Sequence, residues 1–97
     1  MNPTICDAIS NLRVLQLSYD GYSRTVEPHA YGMSTANHEI VRVWQTAGGS
    51  VSNERTGWKL LRVDEIRSLM ALPQTFTGPR PGYRKGDRDM RIIYCQL

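Results

Sequence analysis

The sequence predicts a mostly β protein: a small, strongly bent five-stranded β-barrel of the SH3 or Sm type, with one N-terminal α-helix and an extended basic C-terminal segment. An oligonucleotide-binding barrel is the alternative architecture. Three observations carry the prediction. The only apolar stripe with helical spacing lies in the first twelve residues, where Ile5, Ala8, Ile9 and Leu12 fall at i, i+3, i+4 and i+7. Beyond Arg13 the apolar period is two, broken by turn-forming clusters at barrel-like intervals. The second of the resulting strands carries Pro28 and Gly32 in its middle, as a strand does when it bends between two sheets.

Asn2 is placed to cap the helix and Pro3 to open it, since the first helical position needs no amide hydrogen. The first strand follows, with Leu15, Leu17 and Tyr19 on one face and Val14, Gln16 and Ser18 on the other. Asp20-Gly21 is a two-residue hairpin signal, because the favoured turn needs positive φ at both positions. The second strand spans 22–33; Pro28 has no amide to donate, so the strand is at an edge there or bends. A polar turn at 34–38 leads to a third strand at 39–46. The loop from Ala47 to Thr56, with Gly48-Gly49-Ser50, exceeds the usual connection length of roughly four to six residues and is expected to be mobile or functional. The fourth strand is 57–66, where Leu60, Leu61, Val63 and Ile66 are expected to hold the barrel and Asp64 the corner. The fifth is 67–72, ended by Pro73. Residues 79–89, Pro79 to Asp89, have no apolar period and read as a looping arm, before Ile92, Tyr94 and Leu97 return to the body as a last strand or short helix.

A chain of 97 residues fits one domain, 1–97, with its core in 5–72 and a C-terminal arm in 73–97. Hydrophobic residues make up 40 % and charged residues 22 %, a composition outside the disordered and membrane-spanning classes. No apolar run is long enough for a membrane span, and the start lacks the basic leader of a secretory signal, so the expected compartment is the cytoplasm. Cys6 and Cys95 lie far apart in sequence without metal-ligand spacing and read as reduced core residues.

The formal charge is +3, from 12 Lys plus Arg against 9 Asp plus Glu, and ten of the cations are Arg. Guanidinium forks match carboxylate and phosphate, so the surface leans towards anion recognition without the charge of a non-specific duplex binder. Nothing points to an enzyme, a metal or a cofactor. His29 reads as a strand-surface histidine and His38 as a turn histidine; the acid pairs Asp64-Glu65 and Asp87-x-Asp89 read as capping or solvated, and the Gly48-Gly49 loop lacks the lysine of a phosphate-binding loop. The candidate ligand-binding residues are Tyr19, Arg24, Arg42, Trp44, Lys59 and Arg62, with Trp58 as a neighbour. Three strands each set cations among apolar and aromatic residues, and if their parities agree the set forms a shallow face that grips phosphate and stacks bases. The alternative is that the tryptophans are core, with arginine stems lying over them.

In order and spacing, these features resemble a WYL domain. The helix Ile5-Cys6-Asp7-Ala8-Ile9, the strand Leu17-Ser18-Tyr19-Asp20, then Arg24-Thr25-Val26-Glu27-Pro28, and finally Lys59-Leu60-Leu61-Arg62-Val63-Asp64-Glu65-Ile66 are similar to that family's elements, over roughly residues 5 to 72. The triplet that names the family falls on Glu39-Ile40-Val41 and none of it is kept; Lys59, Leu61 and Glu65 replace an arginine, a phenylalanine and an arginine, and the chain leaves no room for the winged helix that members carry in front. The resemblance implies an Sm-like, SH3-type fold and a role in transcription regulation. Its sensing face takes nucleic-acid fragments or other anionic effectors, here at Tyr19, Arg24 and Arg62 beside Lys59 and Arg42. The expected function is non-catalytic sensing of an anionic ligand, single-stranded nucleic acid or a nucleotide, reported to a regulatory protein partner or through a homodimer, with no membrane involved. The alternative is a protein-interaction or dimerisation module that binds no nucleic acid, in which a barrel edge or the Tyr83 to Asp89 arm docks a partner or a second copy.

Overall fold

The computed structural model describes residues 1–97. Helix α1 (Pro3–Ser10) precedes six strands: β1 (Arg13–Tyr19), β2 (Tyr22–Ser34), β3 (Glu39–Gly48), β4 (Gly57–Arg62), β5 (Arg67–Thr75) and β6 (Met90–Gln96). The sheet is antiparallel in the order β4-β3-β2-β1-β5, and β6 pairs with β2. No helix is long and apolar enough to cross a membrane.

Local chemistry explains the elements. The Asn2 carboxamide accepts from the amides of Thr4 and Ile5 at 3.0 and 3.3 Å, and Pro3 occupies the first turn, so α1 starts where its orphan donors are satisfied. Ile5, Ala8 and Ile9 face inward onto Leu15, Leu17, Val26, Tyr31, Val41, Val43 and Leu61, which form the core. Asp20 and Gly21 take φ of 51° and 79°, the pair of positive angles of a tight hairpin, and set Leu15 opposite Val26 and Leu17 opposite Arg24.

The long β2 changes partner halfway. Residues 22–26 pair with β1, whereas Ala30 to Ser34 pair with β6, and β3 runs along the other side throughout. The exchange falls on Glu27-Pro28-His29. Pro28 has no amide for a ladder on that side, and the register against β3 slips there, with Pro28 opposite Val43 and Ala30 opposite Arg42, so that His29 is the extra residue of a bulge. Gly32 lets β6 come close, since a Cβ there would collide with the Ile92 carbonyl.

Four expectations are corrected here. The molecule is not a five-stranded barrel: it has six strands, and the sheet stays open because β4 and β5 do not pair. β4 stops at Arg62, where the 3-10 turn Val63–Glu65 winds the backbone out of the ladder, and the Arg62 amide donates to the Tyr19 hydroxyl at 3.0 Å instead of to a strand. Leu60, opposite Arg42, is 39 % exposed on the outer face and does not hold the core, unlike Leu61. β5 passes through Pro73 to Thr75, which an edge strand tolerates because its outer amides need no partner.

Cys6 and Cys95 are not reduced thiols; they form a disulfide, with Cα atoms 5.7 Å apart. Pairing with β2 carries β6 past α1, a proximity that two cysteines 89 positions apart do not announce. Reduction, or Cys6→Ala, is expected to lower unfolding stability by about 2–4 kcal/mol. Chemical denaturation with and without a thiol reductant measures it, and coincident curves would refute a structural bond.

Candidate anion-binding site

Strand parity sorts the six candidate residues into two faces. On the inner face, at the open end of the sheet, lie Tyr19 from β1, Arg24 from β2 and Lys59 from β4, which is opposite Val43. On the outer face lie Arg42 and Trp44, opposite Leu60 and Trp58. Arg62 sits at the corner between them, its guanidinium held by Asp64 at 2.7 and 3.2 Å. The two faces are sides of one sheet, so the six do not form one surface.

Arg24 is the anomaly of the inner group. It is 3 % exposed and forms no ion pair with any acid in the chain. Its Nη2 donates to the Tyr19 carbonyl at 3.2 Å and its Nη1 to Gln45 Oε1 at 3.4 Å, while Nε has no partner. The rings of Tyr19 and Tyr22 lie 5.3 and 5.9 Å from the guanidinium carbon. Gln45, wholly buried, is oriented by donating to the Gly49 carbonyl at 3.1 Å, which turns its own carbonyl oxygen to Arg24. Lys59 Nζ reaches Ser50 Oγ at 3.4 Å. The start of the 49–56 connection, through Gly49 on Gln45 and Ser50 on Lys59, therefore edges a cluster of two phenol rings, a buried guanidinium and an ammonium, the Arg24 mouth. The Tyr19 hydroxyl takes the Arg62 amide hydrogen and donates to Glu65 at 3.1 Å; burial, with Glu65 adding to it, raises its pKa and keeps the phenol neutral.

The outer face is covered. Residues 76–89 fold over it as a strap, and His29 is the peg. His29 is fully buried rather than on a strand surface, because the bulge turns it outward beneath the strap. Nδ1–H donates to the Glu27 carbonyl at 2.9 Å and Nε2 accepts from the Arg80 amide at 3.1 Å, which fixes one neutral tautomer. Around the ring stand Trp58, edge-on at 4.7 Å, Tyr83 at 5.3 Å and Phe76, stacked at 5.6 Å. Arg80 binds the Glu27 carboxylate through two hydrogen bonds of 2.8 and 2.9 Å and covers the Trp44 ring at 5.4 Å. Trp44 and Trp58 meet edge to face at 5.3 Å, and Trp58 Nε1 donates to the Pro81 carbonyl.

Beside the strap an open cleft of about 870 Å³ is lined by Arg42, Trp58, Tyr83, Arg84, Lys85 and Arg88, with Asp87 and Asp89. Arg42 is spent on both aspartates, at 2.8 and 3.2 Å to Asp87 and 2.5 Å to Asp89. Burial alone would raise the Asp87 pKa, but the Arg42 hydrogen bond, the Asp89 amide and the charges of Arg42 and Arg88 together outweigh it and leave the carboxyl below its ordinary value. Sequence reasoning missed His29, Glu27 and Arg80 as one unit; Pro28 beside a histidine on a bending strand was the available signal. It placed Arg84, Lys85 and Arg88 in a looping basic arm, without the cleft that the arm forms against Arg42 and Trp58.

No family model, curated protein or solved structure matches the chain.

Two consequences of the strap are measurable. Burial, opposed only in part by the Glu27 carbonyl, lowers the His29 pKa below 6.5 in the folded chain. The unfolded chain therefore takes up the proton first: the contribution is complete above 6.5 and is lost as pH falls from there through the folded value. Denaturation across pH 7 to 5 is expected to show this loss, and His29→Gln, which keeps an acceptor for the Arg80 amide, is expected to flatten it. Both tryptophans lie under the strap, so Arg80→Ala is expected to red-shift the intrinsic emission; an unchanged spectrum would mean that Arg80 does not hold it down.

Proposed function

We propose that the chain is a non-catalytic sensing module of WYL type that holds an anionic, phosphate-bearing ligand, a nucleotide or the end of a single-stranded nucleic acid, in the mouth around Arg24. The observation that carries this reading is the buried guanidinium without a counter-ion. An ion removed from water costs several kcal/mol even after relaxation, and two neutral carbonyls and two ring faces offset only part of that. A ligand anion supplies the missing charge. Lys59 adds a second cation on the same face, and the rings of Tyr19 and Tyr22 offer flat surfaces to a base. Arg62, already paired, borders the mouth through the Tyr19 hydroxyl, while Arg42 and Trp44, on the opposite face, take no part.

The WYL resemblance supports the reading through Arg24-Thr25-Val26-Glu27-Pro28 and Lys59 to Ile66, the segments that carry Arg24 and Lys59. Its barrel does not carry over, since the sheet is open.

Arg24→Met separates this role from a structural one. Replacing an uncompensated buried charge by an apolar chain of similar reach is expected to leave the ligand-free protein unchanged or more stable by about 1–4 kcal/mol. The same substitution is expected to abolish the rise in melting temperature that a nucleoside monophosphate or a short oligonucleotide produces in the parent. A parent protein that responds to neither, or a variant that responds as the parent does, would falsify the assignment.

A further inference from the structure

We infer that the cleft beside the strap is a docking surface for an acidic, extended peptide segment of a partner protein. It lies on the face opposite the Arg24 mouth and does not depend on the ligand proposed there.

The 84–88 loop offers donors almost exclusively. Arg84, Lys85 and Arg88 form no ion pair and no side-chain hydrogen bond within the chain. The backbone amides of Arg84, Lys85, Asp87 and Arg88 likewise make no hydrogen bond in the chain; of the loop's amides only Gly86 does, to Gln96 Oε1 at 2.9 Å. Asp87 and Asp89 are directed to Arg42 rather than to these side chains, and the four cations of the cleft, Arg42, Arg84, Lys85 and Arg88, against its two acids leave a net charge of +2.

The loop is also held in place without spending those cations. Asp87 and Asp89 are clamped to β3 through Arg42, Gly86 to β6 through Gln96, and the Tyr83 hydroxyl to the Leu97 carbonyl at 3.2 Å. A surface anchored in this way loses little freedom on binding. Its wall includes Trp58 and Tyr83, so it combines Trp, Tyr and Arg, the side chains that dominate binding energy at protein interfaces.

An acidic peptide suits this surface better than a phosphate backbone does. Three free cations on a chain of net charge +3 fall well below the roughly six to ten phosphate contacts typical of nucleic-acid binders. Free backbone amides between the cations, in turn, match an extended chain that brings both carboxylates and its own carbonyls. The carboxylates would meet the guanidiniums at the rim and set the association rate; an apolar residue among them would reach Trp58.

The test uses the full disulfide-bonded chain labelled with 15N. The probe is a synthetic Glu/Asp-rich peptide with one central Phe, compared with its Gln/Asn counterpart and with an oligothymidylate of equal charge. The acidic peptide is expected to shift the amide signals of Arg84 to Arg88 and the Trp58 indole, and to lose about tenfold or more in affinity at high salt. The triple variant Arg84→Ala, Lys85→Ala, Arg88→Ala, which removes no anchoring contact, is expected to lose about tenfold or more in affinity with its remaining spectrum unchanged. Three outcomes would overturn the inference: shifts confined to other residues, equal binding of the uncharged peptide, or tighter binding of the oligothymidylate at this loop. Because Arg24 is absent from the cleft, Arg24→Met is expected to leave peptide binding intact, so failure of one site is told apart from failure of the other.

Discussion

The architecture depends on one interruption in one strand. At Pro28 the ladder between β2 and its neighbour on the β1 side has no donor, and at His29 the strand gains a residue relative to β3. Without this break β1 and β6 could not share an edge of β2, and the outer face would have no imidazole to close the strap upon. His29 answers for three elements at once: its Nδ1–H serves the Glu27 carbonyl, its Nε2 the Arg80 amide, and its carbonyl the Leu97 amide at 2.9 Å. A buried polar ring satisfied at every atom rigidifies its surroundings, whereas a half-satisfied one would destabilise them.

The arginines divide into those whose charge is spent inside the chain and those whose charge is not. Arg42, Arg62 and Arg80 are matched with carboxylates, and each match closes a piece of tertiary structure: the 87–89 loop onto β3, the corner after β4, and the strap onto β2. Arg24 is buried and unmatched; Arg84 and Arg88 are exposed and unmatched. Arg42, Arg62 and Arg80 are thus spent on structure, while Arg24 on one face and Arg84 and Arg88 on the other keep their charge unmatched. An overall charge of +3 conceals this division, because it counts a neutralised guanidinium and a bare one alike.

Much of the β framework was legible in the residues. The Asn2-Pro3 cap, the period-two runs, the Asp20-Gly21 turn and the bend at Pro28 are local rules, and local rules fixed α1 and the starts of β1 to β5. What could not be read depends on distant parts of the chain meeting. Whether β4 and β5 close a barrel turns on a three-residue 3-10 turn and on the Tyr19 hydroxyl intercepting the Arg62 amide. The face taken by Arg24 could be read from parity within its hairpin, but that of Arg42 relative to it could not, because two register slips lie between β2 and β3. The disulfide, and with it the proximity of α1 and β6, was illegible for the same reason: β6 joins β2 only after β1 has left it.

The Cys6–Cys95 bond makes nearly the whole molecule a single covalent ring, with all six strands inside it. A backbone cut within that ring does not produce two molecules. Cleavage in the exposed 51–55 connection between β3 and β4 would leave both pieces tethered through sulfur, with β4 still in register with β3. The oxidised chain can therefore be nicked in this connection and remain one body, while the reduced chain holds the same two pieces together by noncovalent contacts alone.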